Sequence, residues 1–168
     1  MPELSSLTIR LSRPKSGRTV LSVTRSDGSM TWAKLHPGTE LHDLAHYAIE
    51  TELELRDAFY GILAAGYAIE DFEAPPNERP EALRPVNLSR TSLQVEHLVN
   101  LLLTELQSGA HWPDFIPCFQ EILRQSNLPD MPLLTEGKLH RIREQLNILR
   151  ERWNAVAVGG AMEVVMAY

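Results

Sequence analysis

The chain has 168 residues, 43% of them hydrophobic and 23% charged, with 22 acidic and 16 basic side chains giving a formal net charge of −6. Such a composition suits one globular domain over 1–168 and excludes disorder, while an acidic balance disfavours any partner held through a phosphate backbone, so no nucleic acid is expected. Cys118 is the single cysteine, which removes an internal disulfide or a cysteine-based zinc cluster and points to a reducing, cytoplasmic setting. The start of the chain lacks the apolar core of a signal peptide and no run is long enough for a membrane span, so no membrane association is expected.

Residues 6–35 alternate apolar and polar positions around two turn signals, Pro14-Lys15-Ser16-Gly17 and Asp27-Gly28. This predicts strands near 6–12, 18–26 and 29–35. An extra residue bulged at Gly17 would bring Leu7, Ile9 and Leu11 onto the face of Leu21 and Val23. With Asp27-Gly28 as a two-residue turn, Val23 faces Trp32 and the indole is expected in the core.

Helical spacing follows Pro37-Gly38, with Thr39 as N-cap and a helix over about 39–54. A short second helix, about 57–65, ends at Gly66, where a left-handed cap suits glycine. Residues 74–87 carry four prolines and read as an extended surface connection. Thr91 and Gln94 form the pattern of a capping box for a helix over about 91–108, with Val95, Leu98, Val99, Leu102, Leu103 and Leu106 as its apolar face. Further helices are expected over 113–126 and 136–157. The latter carries Leu139, Ile142, Leu146, Leu149, Trp153 and Val156 on a heptad-like seam that fits either this chain's own core or a second copy. Gly159-Gly160 breaks the pattern, and 161–168 alternates as a strand returning to the N-terminal sheet. The fold class is therefore α+β: an antiparallel sheet of three N-terminal strands plus a C-terminal strand, packed against about five helices.

One constellation carries chemistry. His42, His46 and Glu50 stand one helical turn apart on the first helix, beside the apolar face of Leu41, Leu44, Ala45, Ala48, Ile49 and Leu53. Two imidazoles and a carboxylate suit a divalent metal such as zinc or iron. The helix dipole would hold His42 neutral. The segment resembles the zincin metalloprotease motif H-E-x-x-H in its two histidines, with Asp43 in place of the general-base glutamate and no further ligand at a familiar spacing. The wider run from Trp32 through WAKLHPGTELHDLAHYAIE to Tyr67 is similar to an uncharacterised group of small bacterial proteins with an HDLxHxxxE helix after a β-meander, a resemblance that implies no activity.

A solvated or core role for these side chains competes with the metal reading. Elsewhere, His97 is expected in solvent, His111 reaches the stripe only through a tertiary contact, and Cys118 is expected as a small buried hydrophobe. Phosphate loops, nucleophile elbows and dinucleotide fingerprints are missing from the sequence. Two functions fit: an interaction or regulatory module with a protein partner or a second copy, and a metal-dependent hydrolase-like enzyme in which His42, His46 and Glu50 hold the cation and Asp43 assists a bound water.

Overall fold

A computed structural model describes residues 5–168; residues 1–4, where the expected domain and the segment inspected for a leader begin, lie outside it. Four strands, β1 (Ser6–Ser12), β2 (Val20–Arg25), β3 (Met30–Lys34) and β4 (Ala161–Ala167), form one antiparallel sheet in the order β3-β2-β1-β4. Among the described residues six α-helices accompany it: α1 (Glu40–Glu52), α2 (Phe59–Ala64), α3 (Ile69–Glu73), α4 (Arg90–Ser108), α5 (Phe115–Gln125) and α6 (Glu136–Asn154). The fold is α+β, and among the described residues no helix is long and apolar enough to cross a membrane.

Alternation decides which face of the sheet is covered. Leu11 pairs with both Leu21 and Met162, and Ile9 with both Val23 and Val164. These rows run across the sheet and every member is buried, as expected when side chains two residues apart share a face. Gly17 adopts a φ of 93° in the β1–β2 connection, a conformation that glycine takes without a steric penalty. The β1–β2 register is the one that puts Leu7, Ile9 and Leu11 with Leu21 and Val23.

The second hairpin corrects the sequence reading. Thr24 pairs with Met30 and Ser22 with Trp32, while the amide of Arg25 donates to Ser29 O at 2.8 Å and that of Gly28 to Arg25 O at 2.9 Å. Ser26, Asp27 and Gly28 thus make a three-residue loop with Gly28 left-handed at φ 84°, in place of a two-residue turn. A shift of one residue moves a side chain to the other face. Trp32 is accordingly 50% exposed on the outer surface, while Thr31 turns inward beside Val23. Trp153, on the α6 seam, is buried as expected.

Three helix starts also differ from expectation. The N-cap of α4 is Ser89, whose Oγ accepts from Ser92 N at 2.9 Å; Gln94, assigned to a capping box, instead donates to Pro129 O at 2.7 Å and ties α4 to the loop before α6. Thr39 caps α1 without a side-chain bond to its amides, because its hydroxyl turns back to His36 O. α5 begins at Phe115, after Trp112-Pro113. The proline-rich connection contains two 3-10 turns, Glu81–Leu83 and Pro85–Asn87, and α3 had no counterpart in the sequence reading. Cys118 is half-exposed beside Asp114, not buried.

α1 packs against both α4 and α6 beneath the covered sheet face. Leu139, Ile142, Leu146, Leu149 and Trp153 of α6 are buried within this chain, so the heptad-like seam is spent intramolecularly. Arg13, following β1, lies over the Trp153 ring at 4.3 Å and donates to Val156 O and Trp153 O, closing the C-terminal end of α6.

Candidate metal centre

α1 is unusual in burying charge. Asp43, His46 and Glu50 are all buried, His46 and Glu50 to 1% exposure. Buried ionisable groups cost several kcal/mol each unless paired, on the order given by mutational data, so their partners define the site.

Glu50 is held from three directions. Its Oε1 lies 3.0 Å from His46 Nδ1, and its Oε2 accepts the amides of Tyr60 at 2.9 Å and Gly61 at 3.4 Å. The start of α2 thereby presents free N–H groups to a carboxylate. Gly61 is required where the chain folds back beside Arg56, because a Cβ there would collide with the Arg56 backbone carbonyl. Burial pushes the Glu50 carboxyl above its ordinary range, opposed by the His46 imidazole and the two amides.

With Nδ1 turned to Glu50, His46 directs Nε2 the other way, toward α4. There Glu96 brings Oε1 to 3.1 Å from His46 Nε2 and Oε2 to 3.7 Å from His42 Nε2. Nε2 of His46 is buried and has no aligned hydrogen bond despite this ionic contact. The two imidazole rings stand 4.8 Å apart, and Phe59 walls the inner side of His46 at 5.3 Å between ring centres. One ligand atom from each of His42, His46 and Glu96 falls within 4.8 Å of the others. The Glu96 side chain is 48% exposed and that of His42 37%, so the cluster opens to solvent on one side.

The sequence stripe is thus divided. His42 and His46 come together as expected, whereas Glu50 bonds the opposite ring nitrogen of His46, and the carboxylate beside the two outward-facing nitrogens is Glu96. Sequence reasoning missed Glu96 because it lies on another helix, and its only local mark is an acid set among the apolar positions Val95, Leu98 and Val99. Asp43 places Oδ1 3.6 Å from His42 Nδ1, while its Oδ2 is buried without a partner; its backbone carbonyl accepts the Tyr60 hydroxyl at 3.0 Å. His97 is partly buried and His111 is exposed; His111 lines a separate cleft.

These neighbours reverse the expected charge of His42. The Asp43 carboxylate, then Glu96, raise its pKa to about 9 against burial and the neighbouring His46. Burial disfavours the His46 imidazolium, but Glu50 and Glu96 outweigh it and raise the pKa to about 10. For Glu96, burial raises the pKa, and the facing histidines overcome that effect and hold the carboxyl well below its usual range. The metal-free cluster at neutral pH therefore carries two imidazolium protons among carboxylates. A divalent cation would bring the same charge in their place, with proton release on binding.

The donor set is chemically suited to that exchange: two neutral imidazoles with one carboxylate serve zinc, and the same set with open positions serves non-haem iron. Glu50 occupies the place of a carboxylate that orients a ligating histidine through its second nitrogen. No protein-family model matches the chain, and no curated protein or solved structure matches it. The zincin likeness consequently rests on His42 and His46 alone.

Proposed function

We propose that this protein binds one divalent transition cation through His42 Nε2, His46 Nε2 and Glu96, with Glu50 orienting His46 from behind. The observation that carries the reading is the buried His46 Nε2, which lacks an aligned hydrogen bond and is aimed at a carboxylate and a second imidazole. A cation at this point would take the His46 imidazole and the Glu96 carboxylate, 3.1 Å apart, as ligands in place of their ionic contact. Glu96 takes the ligand position that the sequence stripe assigned to Glu50.

The test is metal content of protein purified without a histidine tag, followed by zinc and iron(II) titrations of chelated protein. Near-stoichiometric binding that is lost in His42→Ala, His46→Ala and Glu96→Ala is expected. Chelated protein that takes up no zinc, iron or manganese and gains no thermal stability from any of them would overturn the reading.

A second reading adds hydrolysis. Three protein ligands leave a coordination position for water, and the solvent-facing side of the cluster favours it; Asp43 stands at His42 Nδ1, across the ring from the ligand nitrogen, and would act by orienting that histidine. Zinc-loaded protein would then cleave an activated ester faster than the metal-free form, and Asp43→Asn would lower that rate while retaining the ion. If the rate follows metal content but ignores Asp43→Asn, Asp43 has no part in it. Without turnover, the ion belongs to a cytoplasmic interaction or regulatory module, for which the acidic balance and single cysteine are the support.

A further inference from the structure

A second feature stands apart from the metal cluster. A cleft of about 390 Å³ opens between the C-terminal half of α4 and the middle of α6, with Leu102, Leu106 and Leu146 among its lining residues and Arg143, Asn147 and Arg150 on the α6 side. That volume falls in the range of small-molecule sites, about 300–1,000 Å³. Its lining mixes apolar side chains with polar and charged ones in about equal share.

The charge in the cleft is unbalanced. Glu105, 2% exposed, is fully engaged: Oε1 accepts Arg143 Nε at 2.8 Å, and Oε2 accepts Arg143 Nη2 at 2.5 Å and the Trp112 amide at 2.8 Å. The pair is neutral, but Arg143 retains Nη1 as a donor beyond it. Arg150 has no such partner. The residues three and four positions from it on α6 are Leu146, Asn147, Trp153 and Asn154, none acidic, and Arg150 joins none of the Arg–carboxylate pairs among the described residues. It is nevertheless half-buried and lines the cleft. Two of the carbonyls at the end of α4, which would repel an anion, are occupied: Glu105 O accepts Ser108 Oγ at 2.6 Å and Leu106 O accepts the Gly109 amide at 3.2 Å. Exposed His111 adds a further donor at the rim.

We infer that this cleft binds a small amphipathic carboxylate, its head on Arg150 and its apolar body against Leu106, with the buried Leu102 and Leu146 forming the floor beneath it. Guanidinium matches carboxylate with paired N–H donors, and a half-desolvated pair is stronger than one in open solvent. The leucines favour an alkyl or aryl body over a bare anion.

Octanoate serves as the probe, compared with acetate, octan-1-ol and octylamine by calorimetric titration of the whole protein. Saturable one-to-one binding of octanoate is expected, with acetate and octan-1-ol each weaker by about tenfold or more, since a charged hydrogen bond or an apolar body is worth at least that factor. Octylamine should not bind. Arg150→Gln should weaken octanoate by about tenfold or more and Arg150→Lys by less, while amide resonances of Gly109, Ala110 and Asn147 shift on titration. Absence of saturable octanoate binding, octanoate binding unchanged in Arg150→Gln, or acetate binding as tightly as octanoate would each overturn the inference. Since Arg150 lies outside the His42–His46–Glu96 cluster, its outcome is independent of the metal titrations.

Discussion

His46 Nδ1 and Glu50 Oε1, one turn apart on α1, meet at 3.0 Å in the interior. This contact leaves Nε2 as the only nitrogen of His46 that can face Glu96. Glu50→Gln retains the shape of the side chain but lets the imidazole lose its anionic support. Zinc affinity should fall by about 10–100-fold without loss of stoichiometry, the usual consequence of removing an orienting carboxylate. His46→Ala should abolish binding instead. Competition titration against a chelator of known affinity separates the two, and an unchanged affinity in Glu50→Gln would remove Glu50 from the site.

The hairpin register has its own consequence. Trp32 lies on the outer face opposite Ser22, whereas Trp153 is 6% exposed and stacked under Arg13. Trp32→Ala should change stability by less than about 1 kcal/mol, and Trp153→Ala should cost about 3–5 kcal/mol. Urea unfolding measures both. Acrylamide should quench Trp32 and spare Trp153; equal protection of the two would contradict the three-residue loop at Ser26-Asp27-Gly28.

Why the sequence announces one tryptophan correctly and not the other is a matter of range. Trp153 belongs to a repeat of apolar residues over several turns of α6, and a periodicity averaged over many positions survives small errors. Trp32 depends on whether Asp27-Gly28 closes a loop of two residues or three, and both loops accept the same glycine. The β1–β2 register was legible because only one alignment puts Leu7, Ile9, Leu11, Leu21 and Val23 on one face. The candidate site divides in the same way. His42 and His46 are neighbours by helix geometry alone, while Glu96 arrives through the packing of α4 on α1, and Glu50 is drawn inward by the amides of Tyr60 and Gly61. No local pattern encodes those two tertiary contacts.

Arg143 and Glu105 form the second buried charge system. Glu105→Ala would leave the Arg143 guanidinium in a largely enclosed place and free the Trp112 amide, at a cost of about 3–5 kcal/mol. Joint replacement by Met at both positions should recover most of that loss, because neither charge then remains unpaired. Urea denaturation of the single and double variants makes the comparison. Equal destabilisation in both would show that shape, not charge, holds α6 against α4.

The titration of the cluster gives a prediction for chelated protein. His42 and His46 have folded pKa values raised from 6.5 to about 9 and about 10. A group whose pKa is raised on folding contributes stability that is complete below its unfolded value and lost as pH rises through the folded one. The imidazolium contribution is therefore full below pH 6.5 and declines up to about pH 10. Glu96, whose pKa is lowered, contributes in the opposite sense: its share is present above the ordinary value of 4.5 and fades as pH falls below it. The Tm difference between wild type and Glu96→Gln, both in chelator, should be widest between pH 4.5 and 6.5 and shrink toward pH 10. With saturating zinc the dependence should reverse on its acid side, since protons then compete with the metal for both imidazoles and metal stabilisation grows as pH rises. A Tm difference that stays flat from pH 6.5 to 10 in chelator would mean that the imidazoles gain nothing from Glu96.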